Sequence, residues 1–157
     1  MPYVDPSASD AQAHTSVQFG FRVEKAAATL PATATQNLFT VSGGRVAITA
    51  ILGEVTTAIQ NQACNTKLIS TPTVGTAADL CAVLSIANDE AGTLYGITGT
   101  PGDAMAGTTA GSGLLQARPV AVPEGVIGLN TGATNTGATA WTLWYVPLDE
   151  GARVVSA

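Results

Sequence analysis

Both tryptophans of the chain and one of its three tyrosines lie in the stretch TAWTLWYVPL, residues 139–148. Successive side chains of a pleated strand point to opposite faces, so Trp141, Leu143 and Tyr145 share one face and Trp144 takes the other. A single solvated sheet would leave one of these bulky faces in water. We therefore predict a late strand clamped between two layers, the second of which is either another sheet of the same chain or a neighbouring protein.

The rest of the chain also shows the patterns of short strands. Residues 15–24 alternate apolar and polar side chains, which predicts a strand that turns Phe19 and Phe21 inward. Residues 79–86 fit either a helix or a strand, and we favour a strand because the neighbouring segments are strands. Residues 99–113 contain five glycines and one proline, which predicts a long loop. Further strands are expected at residues 36–41, 45–55, 66–70, 93–98, 114–122, 126–130, 139–148 and 153–156.

These patterns predict an all-β protein with a single β-sandwich, jelly-roll-like or barrel domain of roughly eight to ten short strands. Residues 1–14 combine two prolines with Ser, Ala and Asp, a composition typical of an extended arm. We accordingly expect an N-terminal arm at residues 1–14 and the β-sandwich domain at residues 15–157.

The composition narrows the classes of function. Only 11% of the 157 residues are charged and the formal net charge is −5, with no basic stripe that could neutralise phosphates, so direct binding of nucleic acid is not expected. The sequence shows neither a signal peptide nor a membrane-spanning stretch, so we expect cytoplasmic synthesis and no membrane partner. A surface so poor in charge resists association weakly, which favours a protein that assembles permanently.

The sequence offers no set of residues for catalysis. His14 is the only histidine and lies in the predicted arm, so neither Cys64 nor Cys81 gains a base, and we interpret both cysteines as buried small hydrophobes. Most carboxylates fall in predicted turns, and Glu54, inside an apolar strand, is expected to pair with Arg45 or Lys67. We therefore predict no enzyme activity and no catalytic, metal or cofactor site.

The aromatic side chains of residues 139–148 leave two interpretations open. Trp141, Trp144 and Tyr145 could stack on a sugar ring, but their alternation distributes them over two faces and argues against one shared platform. We favour a place in the core or in a subunit interface.

Three segments together resemble the small structural proteins of tailed-bacteriophage virions, especially head decoration (cement) proteins. They are VSGGRVAITAILGEVTTAIQNQ at residues 41–62, DLCAVL at residues 79–84, and the tryptophan strand. The resemblance lies in the general composition of these segments and in their order along the chain, and it covers most of residues 15–157. It implies a compact β fold that assembles, often as trimers, on the outer capsid surface, with an N-terminal arm that reaches across neighbouring capsid subunits.

On this resemblance we expect a structural virion protein that decorates and stabilises a phage capsid by binding across junctions of major capsid protein subunits. It would be synthesised in the host cytoplasm, lie on the capsid exterior and form a homo-oligomer, with a trimer favoured. The alternatives are a tail- or fibre-associated virion protein and a carbohydrate-binding β module. The residues expected at the interface are Pro2, Tyr3, Val4, Pro6, Trp141, Trp144 and Tyr145.

Overall fold

The computed structural model describes residues 19–109 and 116–157, and within them it forms twelve β-strands. The predicted arm at residues 1–14, with His14, and the end of the glycine-rich loop lie outside the described residues. The strands are β1 (Phe21–Thr29), β2 (Thr35–Ser42), β3 (Val46–Thr57), β4 (Asn65–Pro72), β5 (Ala78–Asp79), β6 (Leu84–Ser85), β7 (Leu94–Gly96), β8 (Ala106–Thr108), β9 (Val120–Val122), β10 (Gly125–Thr131), β11 (Ala138–Pro147) and β12 (Arg153–Ser156).

The strands form two antiparallel sheets that pack face to face. Sheet A has the order β1-β11-β3-β7-β8, and β9 also pairs with β3. Sheet B has the order β12-β2-β10-β4-β5, and β6 also pairs with β4. The predicted all-β sandwich is confirmed. The strand formed by residues 138–147 is an interior strand of sheet A, because it pairs with β1 on one side and with β3 on the other.

The number of strands is higher than the eight to ten predicted, because two segments divide differently. Residues 79–86 do not form one strand; instead β5 and β6 pair separately with the same edge of β4. The predicted loop at residues 99–113 contains β8, which pairs with β7. Such two- and three-residue strands are set by the neighbouring strand, so the periodicity of the segment itself does not reveal them.

The first strand begins later than predicted and runs further. Gly20 has a φ of +91°, a conformation that L side chains rarely adopt, and this turn separates Phe19 from β1. Phe19 therefore does not face the core as predicted, and only Phe21 belongs to the strand. β1 then continues to Thr29, beyond the predicted end of the strand at residue 24.

One row of residues across three strands organises the inner face of sheet A. Trp141 of β11 lies opposite Gly53 of β3, which lies opposite Tyr95 of β7. The two rings stack, with centroids 6.3 Å apart and planes inclined by 25°. Gly53 leaves room for them, because a Cβ there would lie 2.6 Å from Cη2 of Trp141. An aromatic ring thus fills the space that a glycine leaves in the sheet.

We expect Gly53→Ala to lower the free energy of unfolding by about 1–3 kcal/mol, because the added methyl group forces the Trp141 ring out of its position. Gly102→Ala is the matched control, since nothing lies within 4 Å of its Cβ position, and it should change stability by less than about 1 kcal/mol. Urea denaturation measures both. Equal effects of the two variants would contradict the described packing.

The turn after β11 is fastened to the turn between β2 and β3. Asp149 accepts hydrogen bonds from the backbone N–H of Arg45 at 2.7 Å and from its guanidinium Nε at 2.9 Å. Lys67 pairs with Asp79 at 2.7 Å. The predicted partnership of Glu54 with Arg45 or Lys67 is therefore wrong, because both cations bind aspartates. Glu54 is exposed at the surface of β3.

The Arg45 contacts make stability depend on pH. Hydrogen bonds from the Arg45 side chain and backbone hold the pKa of Asp149 well below its ordinary value of 3.8. A lowered pKa in the folded state adds stability above the ordinary pKa, and this contribution is lost as the pH falls below 3.8 towards the lowered value.

We expect Asp149→Asn to lower the free energy of unfolding at neutral pH, with a difference that shrinks in strong acid. Urea titrations of both proteins at several pH values measure it, with Glu150→Gln as control; a difference independent of pH would contradict it.

Candidate interaction surface

The described residues place three of the seven predicted interface residues, Trp141, Trp144 and Tyr145, while Pro2, Tyr3, Val4 and Pro6 lie outside the described part. Trp141 is 2% exposed and Tyr145 is 7% exposed, and both belong to the core between the sheets. The indole Nε1 of Trp141 donates to the hydroxyl of Thr139 at 3.1 Å. The layer that covers this face of β11 is therefore sheet B of the same chain.

Trp144 lies on the outer face of sheet A. It is buried, at 7% exposure, yet it does not belong to the core cluster. The ring of Phe19 lies 6.1 Å from the Trp144 ring, and the guanidinium carbon of Arg22 lies 5.9 Å from the Trp144 ring centroid. The carbonyl of Phe19 also accepts a hydrogen bond from Thr49 of β3. The chain thus passes over the outer face of sheet A just before it enters β1.

The indole N–H of Trp144 has no hydrogen-bond partner within residues 19–109 and 116–157 although it is buried. A buried donor without a partner costs free energy, so among the described residues this ring is held by packing rather than by a hydrogen bond. Covered rings cannot stack on a sugar. The described residues therefore present no exposed Trp or Tyr side chain as a stacking platform.

The outer face around Trp144 consists mostly of small or weakly polar side chains. Leu52 lies opposite Thr142, and Ala47 lies opposite Val146, all on this face. Ala50, opposite Trp144, is fully buried, whereas Val146 is 42% exposed. The same face also carries the exposed charged side chains of Arg22, Glu24 and Glu54, so it mixes apolar and charged groups.

Of the six large hydrophobic side chains that are exposed within the described residues, four lie on or directly after strands β1, β11 and β12. Strands β1 and β12 are end strands of sheets A and B, and they contact each other. The large exposed hydrophobic residues of β1, β12 and the end of β11 are Phe21, Val146, Leu148 and Val155. Phe21 is 58% exposed and its ring lies 5.7 Å from that of Tyr145. We call this region, together with β1 and β12, the β1/β12 side.

Phe21 is a surface residue that the sequence pattern does not reveal. Its alternation with Val23 correctly places it on the inward side of β1, opposite Tyr145. Because β1 is the last strand of the sheet order, however, the side chain reaches the rim rather than the centre of the core. Only the strand order, which the sequence does not supply, would have revealed the exposure.

A polar pocket of about 330 Å³ lies at the other side of sheet A, and its lining includes Ser85, Asp89, Thr93 and Thr108. The carboxylate of Asp89 accepts a hydrogen bond from the buried hydroxyl of Tyr95. Burial, reinforced by Asp89, raises the pKa of Tyr95 well above its ordinary value. Asp89 is the one titratable group among the described lining residues, so they provide no pair of groups for acid–base catalysis.

Both cysteines are buried and free. The Sγ of Cys81 accepts a hydrogen bond from the backbone N–H of Leu68 at 3.3 Å, and burial raises the pKa of the Cys81 thiol. Within the described residues, no three metal-ligating side chains come together. The same residues contain no helix long and apolar enough to cross a membrane.

Comparison with family models, with curated proteins and with solved structures gives no significant match to the chain. The similarity to phage virion proteins thus remains a prediction from the sequence.

We expect Phe19→Ala to make Trp144 accessible to solvent, because the Phe19 ring covers part of the indole. Acrylamide should then quench the tryptophan fluorescence more strongly than in the unsubstituted protein. Phe21→Ala is the matched control, since Phe21 packs on Tyr145 instead. The increase should disappear when Phe19→Ala is combined with Trp144→Phe; an increase that persists would place the effect at Trp141 and contradict the described cover.

Proposed function

We propose that the chain is a structural protein of a phage virion that decorates the capsid and stabilises it by binding across junctions of major capsid protein subunits. The observation that carries the proposal is the β1/β12 side, where Phe21, Val146, Leu148 and Val155 expose apolar surface on a sandwich whose surface is poor in charge. Apolar surface of this kind is typical of proteins that bind other proteins.

The architecture also suits a mechanical role. Two sheets packed around a continuous core form a stiff body. The stacked rings of Trp141 and Tyr95 fill part of this core. A stiff subunit that binds the assembled capsid and not the separated capsid proteins stabilises the assembled state by mass action. Such a role requires no catalytic group.

The predicted arm, residues 1–14, would supply a second attachment. The described chain starts at Phe19 on the outer face of sheet A. We propose that Pro2, Tyr3, Val4 and Pro6 contact a neighbouring major capsid protein subunit. The oligomer would then lie on the capsid exterior, and a trimer is what the resemblance implies.

Binding of the purified full-length chain to capsids that lack it tests this function. We expect the chain to sediment with the capsids, and electron microscopy of a labelled chain to show density on the capsid lattice. Tyr3→Ala should weaken binding several-fold, because it removes the largest apolar side chain of the arm. Ser9→Ala in the same segment is the matched control and should bind normally.

The outcomes separate the proposal from its alternatives. Label confined to the tail would replace it with a tail- or fibre-associated role. Saturable binding to glycans without binding to capsids would favour a carbohydrate-binding module. Equal capsid binding by Tyr3→Ala and the unsubstituted chain would remove the arm from the proposal.

A further inference from the structure

The two long sides of the sandwich are built differently. On one side the sheets end in the short strands β5, β6 and β8, each of two or three residues. On the other side sheet A ends in β1, which has nine residues and pairs with β11 alone among the described strands. Short end strands prevent further pairing, whereas a long end strand presents a row of backbone N–H and C=O groups to another chain.

The side chains of β1 remain accessible for such pairing. Phe21, Arg22 and Glu24 are exposed, and Val23 and Lys25 are partly buried. The strand is regular from Phe21 to Lys25, and the irregularity in its pairing with β11 begins only after Lys25. Five consecutive residues with regular geometry can therefore add a further strand to sheet A.

The charges of this segment are complementary to themselves. When two copies of β1 pair in an antiparallel manner about a two-fold axis at Val23, Arg22 lies opposite Glu24 of the partner subunit. The same axis places Glu24 opposite Arg22 of the partner subunit. Directly opposed side chains of opposite charge stabilise a pair of strands, and like charges destabilise it.

Neighbouring registers lack this complementarity. A two-fold axis at Arg22 would place Arg22 opposite its own copy in the partner subunit. An axis at Glu24 would likewise place two glutamates opposite each other. Within one chain Arg22 already contacts Glu24 and lies over the Trp144 ring, so its side chain is held on the outer face before any partner arrives. Little side-chain freedom is then lost on pairing.

The apolar part of the contact follows from the same register. Phe21 lies opposite Lys25 of the partner subunit, whose methylene chain can cover the exposed ring. Within each chain the ammonium group of Lys25 donates a hydrogen bond to the carbonyl oxygen of Ala157. Val23 lies opposite its own copy. The exposed Val155 of β12 stands on the same side of the sandwich, so the end strand of sheet B also faces the partner.

We propose that β1 is a homotypic pairing edge, through which two copies of this chain join their A sheets by antiparallel pairing of residues 21–25 about a two-fold axis at Val23. The proposal does not depend on the virion role. A two-fold contact cannot close a ring of three, so it is a different interface from the three-fold one implied by the resemblance.

Sedimentation velocity of the full-length chain over a range of concentrations tests this pairing. We expect a reversible equilibrium between monomer and dimer. Arg22→Glu and Glu24→Arg should each raise the dissociation constant at least about tenfold, because each change creates two pairs of like charges in the interface. Arg118→Glu makes the same change of charge at an exposed residue beyond β3, away from β1, and should leave the dimer unchanged.

An equal mixture of the Arg22→Glu and Glu24→Arg proteins gives the decisive measurement. In a mixed pair every opposed contact again joins opposite charges, so the mixture should recover dimers that neither protein forms alone. Circular dichroism confirms that each variant is folded. A chain that stays monomeric at about 1 mM, a chain that forms only trimers, or a mixture that fails to recover dimers would overturn the proposal. Failure of capsid binding alone would leave the dimer in place and overturn the proposed function instead.

Discussion

The stacking of Trp141 on Tyr95 above Gly53 is the contact on which the rest of sheet A depends. It joins β11, β3 and β7 in one row and fixes their register, because a shift by one residue would turn both rings to the other face. The same row fills the centre of the inner face, where Leu143 and sheet B pack beside it. Through its hydroxyl, Tyr95 extends the row to Asp89 and the polar pocket.

The ring on the outer face of β11 is covered in a different way from the ring in the core. Trp144 gains its cover from Phe19 and Arg22, which come from the start of the described chain and not from a second sheet. Its indole N–H receives no partner within the described residues. One strand thus contributes one ring to the core and another to the outer face of sheet A, and the outer ring packs against the start of the described chain.

Much of this architecture could be predicted from local patterns, and the failures have identifiable causes. The alternation of residues 139–148 predicted a strand covered on both faces, and the turn residues marked the boundaries of β2, β3 and β10 within a few positions. Phe19 escaped prediction because the positive φ of Gly20 reverses the alternation before β1. The residues that surround Trp144 and Phe21 come from distant parts of the sequence, and a single sequence does not encode their pairing in any local pattern.

The candidate interaction surface, like the fold, combines features that local sequence patterns predict with features that depend on the strand order. The sequence located the aromatic strand and assigned its rings to the core or to a subunit interface, and the structure buries all three of them. The β1/β12 side emerged only from the strand order, since exposure of Phe21 and Val155 follows from their position on end strands. The low content of charged residues is a property of the composition and could be read directly from the sequence. Few charged side chains therefore accompany the exposed apolar ones.

The interior positions of β11 and β10, which are late in the sequence, also determine when this protein can fold. β1 and β2 find no partner among β3 to β9, since β1 pairs with β11 and β2 pairs with β10 and β12. During synthesis β1 and β2 therefore stay without their partner strands until β10, β11 and β12 have left the ribosome. Contacts between distant parts of a sequence slow folding, because the intervening chain must first be closed into a loop. A chain of this topology acquires its two sheets almost together and late, and until then it needs protection from pairing with the wrong partner.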